Sequence, residues 1–145
     1  MKIKKLEKSD YNQWLPLWNA NCLNQIDQTV TNQTWQRICD PDETVNGFGA
    51  HIDGKLVGMV HYILHPVTGN LNPAAYMQDV FVDETMRRRG IARALVEHLG
   101  LHGREQGWAR LYWMAEKDNA AAQNLYKTLG ITIDFTLHIL PTENF

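Results

Sequence analysis

The strongest constraint in the sequence is a change of hydrophobic period inside residues 75–115. AYMQDVFV at 75–82 is a short apolar run rich in aromatic and β-branched residues, the composition of a strand. A polar turn, DETMRRRG, follows; Ile91, Leu95 and Leu99 then share one helical face, and Gly103 and Gly107 are expected to end the helix. RLYWMA at 110–115 reads as a strand again. Strand, helix and strand at this spacing make a β-α-β unit, whose crossover lays the two strands parallel in one sheet.

The chain before this unit reads differently. KIKKL at 2–6 alternates charged and apolar residues as a short strand does. Ser9 or Asp10 caps a helix over 11–24, on which Trp14, Trp18 and Cys22 recur at four-residue intervals. Pro16 is expected in the first turn, which moves the regular start toward Leu15. Thr31 is the expected cap of a second short helix carrying Trp35 and Ile38 and stopping before Pro41. FGAHI, Asp53-Gly54 and KLVGMVHYILH form a hairpin with a favoured turn dipeptide, and VTGNLNP at 67–73 is a loop. After the β-α-β unit, Asp118 caps a helix over 119–129 with Ala122, Leu125, Tyr126 and Leu129 on one face; Gly130 is placed as its C′ residue, and ITIDFTLHIL is a closing strand. Antiparallel strands followed by one parallel crossover argue for an α+β fold, not a doubly wound sheet.

With 145 residues the chain is expected to form one domain, 1–145, large enough to bury a core. Its formal charge of −2 gives no broad attraction to nucleic acid or to an anionic membrane. Two cysteines, Cys22 and Cys39, make neither a disulfide framework nor a metal spacing, which suits a reducing, cytoplasmic setting. Six histidines raise the question of a metal. His98 and His102 stand at i, i+4, but HLGLH lacks the glutamate of HExxH and a nearby third ligand, so no metal is expected. His61 and His65 lie on the same side of a strand; they either point into a cleft or are hydrogen-bonded parts of the structure.

MRRRGIAR at 86–93 sets three arginines and a glycine at a helix start. That end of a helix leaves backbone N–H groups outside the helical ladder and is electropositive. Gly90 permits unusual backbone angles and close approach, and Ala92 leaves little side chain in the way, so the turn is a candidate anion cradle. The alternative is an arginine-rich surface turn with a small residue used for packing. Neither GxxxxGK[ST] nor GxGxxG is present, which excludes a P-loop and a dinucleotide fingerprint.

VFVDETMRRRGIARALVEHL resembles the acyl-CoA signature of the GNAT N-acetyltransferase superfamily, [RQ]-x-x-G-x-[GA], filled here by Arg87, Gly90 and Ala92. DNAAAQNLYKTLG is similar to that superfamily's second signature, with Asn119, Ala122, Tyr126 and Gly130 in place. The resemblance covers residues 75–130 and implies a mixed, mostly antiparallel twisted sheet flanked by helices, with acetyl-CoA as cosubstrate. It implies that backbone groups of Val80, Phe81 and Val82 pair with the pantetheine arm. Amides of Arg88, Arg89, Gly90, Ile91, Ala92 and Arg93 would hold the pyrophosphate. Asn119 would bond the cofactor, and Tyr126 would act as general acid toward the departing thiolate, a role a phenol can fill.

Many members carry a glutamate as base five residues before the asparagine; here that position is Met114. Asp79 and Glu116 are the substitutes in reach, Asp79 otherwise serving as a buried acceptor or a substrate anchor, Glu116 otherwise a solvated loop charge. LPLW, RICDP, HYILHPVTG and RLYWMAEKDNAAAQNLY resemble the branch containing fungal histone/protein acetyltransferase paralogues. That branch implies acceptors among small amines, amino acids or basic proteins, and a homodimer. Trp14, Trp18 and Trp35 are core residues that would also wall the acceptor site. No Cys or Ser of either motif is paired with a histidine, so direct attack in a ternary complex is expected, without an acyl-enzyme. The expected acceptor is a small amine, an amino acid or polyamine; the alternatives are a protein amine, or acyl-CoA binding without catalysis.

Overall fold

Asp53 and Gly54 reverse the chain with φ of 50° and 78°. Two successive left-handed residues are what a primed two-residue hairpin turn demands, and glycine takes the second at no steric cost. The turn joins β2 (Val45–Ile52) to β3 (Lys55–His65), as the sequence predicts. The computed structural model describes residues 1–145, which form two compact units, Met1–Met114 and Ala115–Phe145.

The first unit holds a five-stranded sheet in chain order. β1 (Lys2–Lys5) pairs antiparallel with β2, β2 with β3, and β3 with β4 (Ala74–Val82); β5 (Leu111–Tyr112) lies parallel to β4. The crossover between β4 and β5 is α3 (Ile91–Gln106), so the α+β arrangement with one parallel connection is present. Helices α1 (Tyr11–Asn21) and α2 (Gln28–Cys39) cover one face of the sheet, where Leu6, Trp14, Leu17, Trp18, Ile38, Leu56 and Met59 form a buried cluster. The other face takes α3. A Cβ built on Gly58 would lie 3.2 Å from Ile91 Cγ2 and 3.3 Å from Leu95 Cδ1, while Met59, the next residue, belongs to the α1 side. Glycine at this position lets α3 press close to the strand.

Four elements of the first unit depart from the sequence expectations. α1 begins at Tyr11, with Pro16 in its interior instead of its first turn. Pro16 and Asn12, whose carbonyl the proline leaves without a helical donor, are both exposed, and burial of Trp14, Leu17 and Trp18 holds the helix through it. α2 begins at Gln28, three residues before the expected cap. Asp27 caps it by accepting from the Thr29 amide at 2.7 Å, and Thr31 is instead buried, its Oγ1 accepting from Trp18 Nε1 at 3.0 Å. α3 continues through Gly103 to Gln106, and Gly107, with φ of 71°, alone ends it. Gly103 serves packing: a Cβ there would stand 2.5 Å from the Trp108 ring. β5 keeps only Leu111 and Tyr112 of the expected 110–115 strand.

In the second unit, α4 spans Ala120–Leu129. Asn119, not Asp118, is its cap and accepts from the Ala122 amide at 3.2 Å. Gly130 has φ of −148°, an extended conformation, and not the left-handed C′ conformation. The closing strand over ITIDFTLHIL is not formed. Its period is that of a strand, but a strand needs a ladder partner. Ile131, Phe135 and Ile139 stand 92%, 84% and 81% exposed.

Candidate active site

The parallel pairing of β4 and β5 lasts for two residue pairs, Ala75 with Leu111 and Tyr76 with Tyr112. Beyond Tyr76 the edge of β4 turned away from β3 belongs to no ladder. An unpaired edge presents a row of main-chain donors and acceptors, into which an extended amide-bearing ligand fits as a strand would. Val80, Phe81 and Val82 lie on this open stretch. The side chain of Val82 is buried, and that of Phe81 packs on the cluster under α1.

At the end of β4 the chain enters the turn that leads to α3. Asp83 Oδ1 accepts from the Thr85 amide at 2.9 Å and from its hydroxyl at 2.7 Å, which starts a short 3-10 turn. Arg87 folds back: its Nε donates to the Val82 carbonyl at 3.2 Å, and its guanidinium carbon lies 5.3 Å from the centroid of the Phe81 ring. The signature arginine thus fastens the turn to the strand. Arg88 and Gly90 both have positive φ, 62° and 75°. Gly90 is the N-cap of α3, no side chain caps the helix, and the first helical bond runs from Ala94 N to Gly90 O at 3.0 Å. The amides of residues 91–93 precede that bond and lie at the positive end of the helix. A Cβ on Gly90 would meet nothing within 4 Å, so glycine is favoured there by its backbone angle and not by protein packing, and the space beside it is open. Arg88, Arg89 and Gly90 are exposed.

A second group of functional side chains converges on the α1 face of the same strand. β3 and β4 fall out of step between His61 and Tyr62: Tyr62 pairs with Met77 and His61 with Asp79, which leaves Gln78 as a bulge. The bulge turns Asp79 toward α1, although Met77, two residues earlier, points to the α3 side with Tyr62. Asn21 Nδ2 donates to Asp79 Oδ1 at 3.0 Å, and His61 Nδ1 lies 3.0 Å from Asp79 Oδ2. Trp14 Nε1 donates to His61 Nε2 at 3.0 Å. Burial pushes the Asp79 carboxyl up, but its hydrogen bond and electrostatic contact with His61 and the hydrogen bond from Asn21 outweigh it and hold the group below the usual carboxylate range. Asn21 was not visible as a site residue in the sequence; a polar residue at the end of an apolar helix carries no motif.

The remaining histidines and tryptophans take other places. His65 Nε2 lies 2.7 Å from the Tyr112 hydroxyl, and His98 and His102 set their rings edge-on to Phe48 at 4.7 and 5.2 Å between centroids. Trp35 packs against Trp14 at 4.6 Å between ring centroids. In the second unit, the Asn119 side chain is engaged as the α4 cap and Glu116 is exposed. Gln123, which stands at no fixed position of either signature, ties the start of this unit together by donating to the Glu116 carbonyl at 2.9 Å. Tyr126 is half-buried, and burial raises its phenol above the ordinary value, so it remains a proton donor at neutral pH. Met114 is exposed.

The sequence model described as the Acetyltransferase (GNAT) family matches residues 4–131. The chain belongs to this family. It is an acetyl-CoA-dependent N-acetyltransferase of the GNAT type. Among GNAT relatives, the D-amino-acid N-acetyltransferase HPA3 of Saccharomyces cerevisiae is 29% identical over 143 residues, covering 94% of this chain and 88% of the yeast protein. Two solved GNAT structures share the fold. The ribosomal-protein-alanine N-acetyltransferase of Brucella melitensis biovar Abortus 2308 has a TM-score of 0.81 at 22% identity, with 97% of this chain and 99% of that one covered. The aminoglycoside acetyltransferase AAC(6')-Iy, in complex with a CoA-linked bisubstrate analogue, has a TM-score of 0.82 at 20% identity, with 97% and 96% covered.

Proposed function

We propose that this chain acetylates a small primary amine, with an amino acid of D configuration as the first candidate and a polyamine as the second. The observation that carries the reading is the likeness to the yeast D-amino-acid N-acetyltransferase across 94% of the chain. The site is consistent with it. The open edge at Val80, Phe81 and Val82 receives the pantetheine arm, and the turn from Arg88 to Arg93 receives the pyrophosphate through main-chain amides, with Arg87 bracing the turn from behind. Asn119 and Ala122 contribute to cofactor binding from the head of α4. The amine, its ammonium proton lost to solvent, attacks the thioester carbon directly in a ternary complex; as the amide forms the nitrogen sheds a second proton, which restores the phenol of Tyr126 through solvent. A main-chain amide near Val82 bonds the carbonyl oxygen as charge develops on it, and Tyr126 gives its proton to the thiolate as the C–S bond breaks.

In this reading residues 1–145 act as one catalytic domain; the family match from residue 4 to 131 spans parts of both units. A cytoplasmic homodimer completes the proposal. The alternating apolar residues Ile131, Ile133, Phe135, Leu137 and Ile139, all exposed, suit a contact with a second copy.

A thiol-release assay with acetyl-CoA against D- and L-amino acids, polyamines, aminoglycosides and basic peptides tests the acceptor. Turnover highest on small amines is the expected outcome; turnover confined to peptides would overturn it. Tyr126→Phe should lower kcat by roughly 10²-fold or more, the range of general-acid contributions, with acetyl-CoA affinity unchanged. An unaffected kcat removes the acid role. Tight acetyl-CoA binding with no turnover on any amine would make the chain an acyl-CoA-binding module.

A further inference from the structure

We infer that His61 is a positioning residue: the Trp14 indole fixes its proton on Nδ1, and from there, together with Asn21, it sets the Asp79 carboxylate to receive the ammonium of the acceptor. The inference deepens the acceptor-amine reading above and rests on it for the identity of the ligand.

Four side chains carry the argument. The Trp14 indole N–H can only donate, so His61 Nε2, 3.0 Å away, must accept and holds no proton. The neutral ring then carries its proton on Nδ1, which donates to Asp79 Oδ2 at 3.0 Å. Protonating Nε2 would set two N–H donors head to head in a place where Trp14 is 0% exposed and the His61 side chain 3%. The ring also cannot swing out, because Trp14 and Trp18 flank it at 6.0 and 5.6 Å between centroids. His61 is therefore a fixed donor with one orientation.

Asp79 is left with capacity to spare. Each oxygen has one donor, Oδ1 from Asn21 and Oδ2 from His61. An ionised carboxylate accepts about four hydrogen bonds, so about half its acceptor sites remain. Its side chain is 19% exposed, which gives those sites a route to ligand. Both donors are neutral, so an arriving ammonium supplies the countercharge they lack, in a charge-assisted bond shielded from bulk water. The bulge at Gln78 puts the group on the α1 face of β4, on the open-edge stretch itself and one residue before Val80.

Two substitutions separate positioning from bracing. In His61→Asn the amide nitrogen stands near the old Nδ1 and keeps the donor to Asp79; in His61→Gln the amide reaches the old Nε2 and keeps the partner of Trp14. With acetyl-CoA saturating, and D-alanine and 1,4-diaminobutane as probes, Asp79→Asn and His61→Gln should raise the acceptor KM about tenfold, the scale of one charge-assisted bond. The KM for acetyl-CoA should stay within about twofold, and His61→Asn should recover most of the acceptor KM. A silent His61→Gln beside a damaged His61→Asn would assign His61 to holding Trp14 and overturn the inference. A second measurement does not depend on turnover. Nitrogen-15 NMR of the wild-type chain with bound CoA should find the His61 proton on Nδ1, and either probe should shift that signal in the wild type but not in Asp79→Asn. A proton on Nε2, or no shift with either probe, also overturns it. If the shift is present while no amine is acetylated, the acetyl-transfer reading fails and the ammonium site stands.

Discussion

The turn at 86–93 and the cluster around Asp79, proposed above for the two ends of one reaction, adjoin the same strand, yet they are built by opposite means. The turn is made of consecutive residues, and what it offers is main chain: two left-handed positions, Arg88 and Gly90, and a helix start with no side-chain cap. The cluster is made of side chains from three elements, with Trp14 47 positions from His61 and Asn21 58 positions from Asp79. A site built from backbone depends on conformation and tolerates many side chains. A site built from converging side chains depends on identity, and a single replacement changes its chemistry. Cofactor binding and acceptor binding should therefore fail under different substitutions.

The largest separation is expected from Gly90→Val. A β-branched residue at φ of 75° pays roughly 1–2 kcal/mol in backbone strain and fills the space beside the turn. Acetyl-CoA affinity, read by calorimetry, should fall by about 100-fold or more, since phosphate binding needs the main chain to approach closely. The NMR response of His61 to amine should persist once CoA is added to saturation. Retained acetyl-CoA affinity would remove the backbone-cradle account.

An intermediate effect is expected from Asp79→Asn on acid stability. The folded carboxyl lies below its unfolded value, so its contribution is fully present above the ordinary carboxylate range and is lost as pH falls through that range toward the folded value. The variant should be less stable than wild type at pH 7, and the gap should close on acidification, as urea melts at pH 7 and at about pH 3 would register. A gap that is constant with pH would mean the carboxylate is not held by its hydrogen bonds.

The smallest effect belongs to Arg88→Ala with Arg89→Ala. Both side chains are exposed, and exposed ion contacts are individually worth about 0–1 kcal/mol. Acetyl-CoA affinity should drop only several-fold, with a weaker salt dependence than the wild type. A loss equal to that of Gly90→Val would shift the credit from the backbone to the charges.

The same contrast explains what could be read in advance. The β-α-β unit, the hairpin at Asp53-Gly54 and the Gly90 turn follow from contiguous residues, and contiguous residues are what period and turn chemistry describe. Asn21 and the Trp14 contact to His61 follow from the packing of α1 on β3, which no local pattern encodes. Element ends went astray for related reasons. Pro16 sits inside α1 because its exposed side carries the cost; Thr31 gave up a cap for a bond to Trp18; Gly103 was needed beneath Trp108. The segment 131–140 has the period of a strand but no ladder partner in this chain.

The bulge at Gln78 bears on how relatives should be compared. Had Gln78 kept its turn in the ladder it would stand opposite His61, and Asp79 would stand opposite Val60, beneath α3, far from any acceptor held at α1. A relative lacking a residue at that point would still present its carboxylate correctly; a relative of equal length without the bulge would not. Matching columns in an alignment is thus a poor guide to which acidic residue meets the amine. The place where the strand slips out of step has to be found first, and the counting started from there.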